Sequence, residues 1–166
     1  MKIKPVSGFS IRPIEARDNA AIAAIIRNSL AEFGANKPGT VYYDETTDHL
    51  YELFQAKKSA YLIAEKNQVI QGGAGIFPTD GLPEDTCELV KMYLIPEARG
   101  FGLGAALMEE CLALARQHGF KKIYLETMPE LRKAISNYQK FGFIALDKPL
   151  GNSGHHGCDV WMIREV

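Results

Sequence analysis

No stretch of this sequence is apolar for long enough to cross a bilayer, which excludes a helical membrane anchor within it. Met1 to Ser10 carry no apolar run of signal-peptide length, so the expected compartment is the cytoplasm. Cysteine is scarce. Cys87, Cys111 and Cys158 are odd in number and lack CxxC spacing, so neither a disulfide framework nor a structural zinc site is expected. None sits with a histidine in a nucleophile signature, and all three read as small core residues. Excess charge is missing too: 19 lysines and arginines face 20 aspartates and glutamates. The net charge of -1 gives no field to draw the chain onto nucleic acid or an acidic membrane. Repeats and low-complexity segments are absent. What is present is 46% apolar residues in a chain of 166, enough for a core and suited to one domain over residues 1–166.

Periodicity gives the element order. A short strand at Ile11 to Ile14 precedes a helix capped by Asp18 and stopped by Gly34, with Ile22, Ile25, Ile26 and Leu30 on one face. Asp44 or Thr46 caps a second helix bearing Leu50, Leu53 and Phe54. Ala60 to Glu65 and Gln68 to Phe77 read as a hairpin turning at Lys66-Asn67, its glycines 72, 73 and 75 marking a bulge or close packing. A strand over 87–94, a helix over 102–118 and a strand over 122–126 form one strand-helix-strand unit. Pro129 opens a last helix whose apolar face is Leu131, Ala134, Ile135, Tyr138 and Phe141, with Gly142 as its stop. Two further strands come after it, at Phe143 to Leu146 and Asp159 to Ile163, separated by a glycine- and histidine-containing loop. The fold class is α/β of the α+β type: a mixed, mostly antiparallel sheet flanked by helices.

The sharpest feature is Pro96-Glu97-Ala98-Arg99-Gly100-Phe101-Gly102-Leu103-Gly104-Ala105. A strand ends, a glycine turn comes next, and a helix starts at once. The first N–H groups of a helix lack helical partners and lie at the positive end of its dipole. Glycines let a bulky anion come close, so the expected ligand is a phosphate or pyrophosphate, with Arg99 adding a fixed positive charge. A tight turn without a ligand would look the same. Gly100, Gly102 and Ala105, with Glu126 about 20 residues on, also spell a dinucleotide fingerprint. Its glycines stand four residues too far from the strand, and too little chain remains for a second nucleotide half. A P-loop is excluded because no G-K-[ST] is present after the glycines.

These residues resemble motif A of the GNAT superfamily of N-acetyltransferases, Q/R-x-x-G-x-G/A, with Arg99, Gly102 and Gly104 at its defining positions. Glu88 to Leu94 is similar to the strand that precedes motif A, and Ala134 to Phe143 to the A-x-x-x-Y-x-x-x-G-F segment. The resemblance implies a GNAT-like acyl-CoA N-acyltransferase fold. It implies acetyl-CoA as acyl donor, without a metal, in a cleft where Glu88 to Leu94 splays from Ile123 to Glu126. The pantetheine arm would bond the backbone near Met92 and Leu94. The pyrophosphate would take the N–H groups of Arg99, Gly100, Phe101, Gly102, Leu103 and Gly104. A primary amine of a small molecule, amino acid or peptide would attack the thioester directly. Glu88 matches the position of the base, acting directly or through water, and Tyr138 that of the acid that protonates the leaving thiolate. On its own Tyr138 would read the same as a core tyrosine, and Glu88 the same as a solvated strand residue. The chain departs from the pattern at Leu131, where many members carry a CoA-bonding asparagine, and at Asn137, a position that is often leucine.

The resemblance places the acceptor near Phe33, Tyr42, Tyr43 and Asp44, with His155, His156 and Asp159 from the late loop; of these Phe33, Tyr43 and His155 are the first candidates. Tyrosine faces with an acid suit a cation, although an ordinary surface loop would read the same. Two adjacent histidines without further ligands make a poor metal site. A homodimer is left open. The alternatives to an acetyltransferase are a non-catalytic acyl-CoA sensor of the same fold and a nucleotide-dependent oxidoreductase.

Overall fold

The computed structural model describes residues 8–166, so the N-terminal stretch considered for a leader lies outside them as far as residue 7. Among the described residues seven strands form a single sheet: β1 (Ser10–Pro13), β2 (Ala60–Lys66), β3 (Val69–Phe77), β4 (Thr86–Leu94), β5 (Lys122–Thr127), β6 (Ile144–Leu146) and β7 (Val160–Glu165). Their spatial order is β1-β2-β3-β4-β5-β7-β6. Every neighbouring pair is antiparallel except β4 and β5, which α3 (Leu103–Gln117) connects. One parallel pair cannot make a doubly wound sheet, which removes the structural basis of the dinucleotide reading.

Alternation along the strands sends apolar side chains to both faces. Leu62, Ala74, Ile76, Cys87 and Leu89 pack with Leu103, Leu107 and Cys111 of α3. Tyr61 and Ile63 pack on the other face with Ile22, Ile26 and Leu30 of α1 (Asn19–Glu32) and with Leu50 of α2 (Leu50–Leu53). The three cysteines are free thiols buried in these cores, and burial pushes the thiols of Cys87 and Cys158 up to about 12. No helix among the described residues is long and apolar enough to cross a membrane.

Four local expectations are corrected. Asp18 stands at the N-cap of α1 but makes no cap bond there; its carboxylate turns back to accept from the N–H of Glu15 at 2.7 Å and from Arg12 at 2.8 and 3.0 Å. The second helix is mostly a tighter 3-10 stretch, Glu45–His49, capped by Asp44 accepting from the Thr46 N–H, and only one α turn comes after it. The β2–β3 hairpin turns at Asn67 and Gln68, both at positive φ, as a two-residue turn requires to match strand twist. The last helix, α4, runs Arg132–Lys140 rather than from Pro129, because the Leu131 N–H bonds Met128 in a separate turn and buries Leu131 at the helix entrance.

Two features of β4 shape the middle of the sheet. It pairs with β5 only over Thr86, Cys87 and Glu88, and beyond that the strands diverge. It also gains one residue against β3: Gly75 faces Val90 but Gly73 faces Tyr93, a bulge centred on Lys91, whose φ is 52°. Tyr61 pins this bulge by donating its hydroxyl to the Lys91 carbonyl at 2.7 Å. Its ring can lie there because a Cβ at Gly73 or Gly75 would come within 2.6 Å of it.

Candidate active site

The divergence of β4 and β5 opens a cleft of about 690 Å³. Its walls come from β4 past Glu88, the end of β5, the end of α1, the face of α4 and the turn before α3. The β5-side edge of β4 has no strand partner there, so its backbone groups are open to a ligand that adds like a strand. Met92 and Leu94 line this edge.

At one end lies the glycine turn. The Arg99 N–H is taken by the Pro96 carbonyl at 3.2 Å, and the first bond into α3 is from Ala106 to Gly102 at 3.1 Å. Between them the N–H groups of residues 100–105 have no partner among the described residues. Gly100 and Gly102 sit at φ 86° and 82°, a left-handed backbone that favours glycine, and a Cβ on either would meet nothing within 4 Å. The result is an open concavity of aligned donors at a helix N-terminus, suited to an anion. The expected run is therefore shifted by one residue: it begins at Gly100, because the turn over Pro96–Ala98 consumes the Arg99 N–H.

Arg99, expected to add a fixed positive charge to the turn, is held in place by other parts of the chain. Its guanidinium donates to the Leu94 carbonyl at 3.1 and 2.9 Å and to both carboxylate oxygens of Glu32 at 3.0 and 2.8 Å, and lies 5.2 Å from the Phe33 ring centre. It ties α1 to the end of β4, with its charge largely answered by Glu32. The ring of Phe101 points out of the cleft toward Phe9, and Leu103 is sealed in the α3 core, so each offers the site its N–H alone.

Tyr138 stands on the α4 wall. Gly142 ends that helix with a left-handed residue, and the Phe143 N–H then bonds the Tyr138 carbonyl at 3.0 Å. This return sets the Phe143 ring edge-on to Tyr138, with centres 5.8 Å apart. Among the described residues the Tyr138 hydroxyl has no hydrogen-bond partner, although the ring is half-buried and lines the cleft. Burial pushes its pKa up to about 12, so it stays a proton donor at neutral pH. Asn137 lines the same wall, and so does Leu131, as an apolar patch.

Glu88 lies on the opposite sheet face from α3, buried, accepting from the Thr79 hydroxyl at 2.6 Å. Burial pushes its pKa up to about 7; the Thr79 bond opposes that rise and the nearby Glu126 charge adds to it. Glu88 itself does not line the cleft, but Glu126 does. The Glu126 carboxylate accepts from the Tyr124 hydroxyl at 2.6 Å and from Ser153. His155 of the late loop bonds Asp44 at 2.8 Å, a contact that holds the Asp44 carboxyl below the usual carboxylate range. Phe33 reaches the cleft, whereas Tyr43 and His155 do not line it; Tyr43 is exposed and packs edge-on against Tyr42. Among the described residues no group of three or more His, Cys, Asp or Glu could hold a metal ion.

Sequence reasoning did not single out Lys91 or Glu126 as site residues. The available signal for Lys91 was a charge interrupting an apolar strand; for Glu126 it was a carboxylate at the strand end, which counted only as part of a dinucleotide fingerprint.

An unpaired strand edge, a row of N–H groups without partners among the described residues and a tyrosine hydroxyl come together in one cleft. The chain belongs to the acetyltransferase (GNAT) family, whose model matches residues 24–143, and is thus an acyltransferase of the GNAT N-acetyltransferase type. It is 42% identical over 158 residues to the uncharacterized N-acetyltransferase YjgM of Escherichia coli (strain K12), covering 94% of each chain. Its fold matches that of a GNAT-family acetyltransferase from Staphylococcus aureus Mu50 with a TM-score of 0.82 at 17% identity, over 95% of this chain and 98% of that one. It also matches a GNAT-superfamily phosphinothricin acetyltransferase from Sinorhizobium meliloti in complex with acetyl-CoA, with a TM-score of 0.74 at 19% identity, over 96% of this chain and 89% of that one.

Proposed function

We propose that residues 1–166 act as one domain that transfers an acetyl group from acetyl-CoA to a primary amine by direct attack in a ternary complex. The observation that carries this reading is the free N–H row of residues 100–105 at one end of a cleft whose wall holds the unpaired Tyr138 hydroxyl. The N–H row would hold the pyrophosphate, and the open edge of β4 near Met92 and Leu94 would hold the pantetheine arm. When bound, acetyl-CoA supplies the thioester carbonyl that the amine attacks. Tyr138 would donate its proton to the departing thiolate. Glu88 would accept the proton that an ammonium, with pKa about 10, must lose before attack. Because Glu88 is set back from the cleft wall, that proton would travel through water. The same reading puts the protein in the cytoplasm, where its three free thiols persist.

The deciding experiment is a panel of amines assayed for CoA thiol release. Turnover with any of them supports the transferase; binding of acetyl-CoA without turnover across the panel would instead favour an acyl-CoA sensor. In the same preparation, acetyl-CoA or CoA at 100 times its Kd should stabilise the fold by about 2.7 kcal/mol, while NAD(H) should not. A shift with NAD(H) and none with CoA would overturn the assignment.

The raised pKa of Glu88 fixes the sign of a pH effect. Below about 7 the carboxyl is neutral and cannot accept a proton. kcat/KM should therefore climb with pH through this region, and Glu88→Gln should abolish that limb and lower the rate by about 10²- to 10⁴-fold. A glutamine variant with the same limb and rate would transfer the role to another group.

A further inference from the structure

Lys91 has no role in the proposed acetyl transfer. It sits at the bulge of β4 in a left-handed backbone conformation, uncommon outside glycine and often associated with function. Its side chain is buried to 8% exposure, and among the described residues its ammonium makes no hydrogen bond or ion pair. The nitrogen is not sealed from solvent, because the sealed unpartnered side-chain atoms are confined to Arg12 and Glu130. Lys91 is one of the residues that line the cleft. Burial disfavours the ammonium, while Asp44 and Glu88 nearby favour it without hydrogen-bonding it; an anion arriving through the cleft would supply the bond it lacks.

The anion is not the pyrophosphate. That would lie at residues 100–105, past the end of β4. Met92 and Leu94 pack toward the α3 face, while Lys91 is in electrostatic contact with Asp44 and Glu88 on the opposite, α1 face. The charged and titratable groups around it there are Asp44 with its partner His155, and Glu88 with its neighbour Glu126. Asp44 and Glu88 beside the lysine, with Glu126 next to Glu88, would repel a dianionic phosphate. They suit a ligand with a positive group for the acids and one negative charge for the lysine.

We infer that the acceptor is a free amino acid, its carboxylate held by Lys91 and its ammonium placed on the side of Glu88 and Glu126. This rests on the transferase reading and narrows it. Plain amines would leave the Lys91 ammonium without a hydrogen-bond partner, whereas an amino acid meets both the lysine and the acids at once. Burial lowers the pKa of Lys91 when the site is empty, and a bound carboxylate restores the charged form.

The test compares amino acids of varied side chain, each beside the amine left by removing its carboxyl group. The wild type should favour an amino acid over its matched amine by about 10- to 100-fold in kcat/KM, the worth of one hydrogen bond to a charged group. In Lys91→Met, of similar length and uncharged, the ratio should fall to within about 2-fold of one. A ratio near one in the wild type overturns the inference without reference to any variant, as does a ratio that survives in Lys91→Met. Calorimetry of amino acids on the CoA-loaded protein reads binding without turnover, and no binding by any of them sinks the proposal. If matched amines turn over and amino acids do not, the acceptor class fails and the transferase stands; if no acceptor releases CoA thiol, the transferase reading fails.

Discussion

Tyr138→Phe is expected to slow single-turnover acetyl transfer by about 10- to 100-fold while acetyl-CoA affinity holds. The substitution removes only the hydroxyl. The ring keeps its edge-on contact with Phe143, and the helix stop at Gly142 that fixes this contact is a backbone feature the variant does not touch. The hydroxyl bonds no group among the described residues, so its loss leaves none of them stranded and should cost little stability. What is lost is a donor that stays protonated at every working pH, because burial holds its pKa up at about 12. Water can replace it in part, and a thiol of pKa about 8.5 leaves without great difficulty, so the full effect of a general acid is not expected. The measurement is acetyl transfer at saturating acetyl-CoA with a working acceptor, alongside CoA affinity. Wild-type rate with wild-type affinity would make Tyr138 a packing residue.

Gly104→Val should weaken CoA binding by about 100-fold or more while the protein stays folded. Gly104 lies in the first turn of α3 and lines the cleft. A Cβ there would make ordinary contacts, 3.7 Å from Met92 and 3.9 Å from Leu94. Valine is also a better helix residue than glycine, so the fold loses nothing through propensity. Its branched methyls would stand where the phosphates must approach the free N–H groups, each such bond to a charged group being worth about 1.5–3 kcal/mol. Gly102→Val is the less clean test, since φ 82° there adds backbone strain of about 1–2 kcal/mol to any loss of binding. Calorimetry with CoA beside a thermal melt separates the two effects. Unchanged affinity in a folded Gly104→Val protein would remove the phosphate from this turn.

The two features tested by these substitutions were legible in the chain because each is written locally. The turn lies within ten consecutive residues, where proline, glycine and the helix start constrain one another. Tyr138 stands in a nine-residue helix whose apolar spacing shows which side faces inward. The boundary misjudged in the same region, Pro129 against Arg132, was also local, but it was decided by Leu131 finding a place in the core. Propensity could not report that.

Other parts of the site are assembled across the chain. Arg99 meets Glu32, 67 residues away, and this turns a charge expected to serve the glycine turn into a clamp on α1. His155 meets Asp44, 111 residues away. The Lys91 bulge exists because β3 offers one residue fewer opposite it, and because glycines on β3 admit the Tyr61 ring that pins its carbonyl. By itself the sequence determined the mixed sheet, the strand-helix-strand unit, the glycine turn before its helix and the tyrosine on its helix, since periodicity and glycine placement act over a few residues. Only the tertiary structure decided which charges are answered and which are left facing the cleft, because side-chain pairing and burial depend on strands and loops that are distant in sequence and adjacent in space.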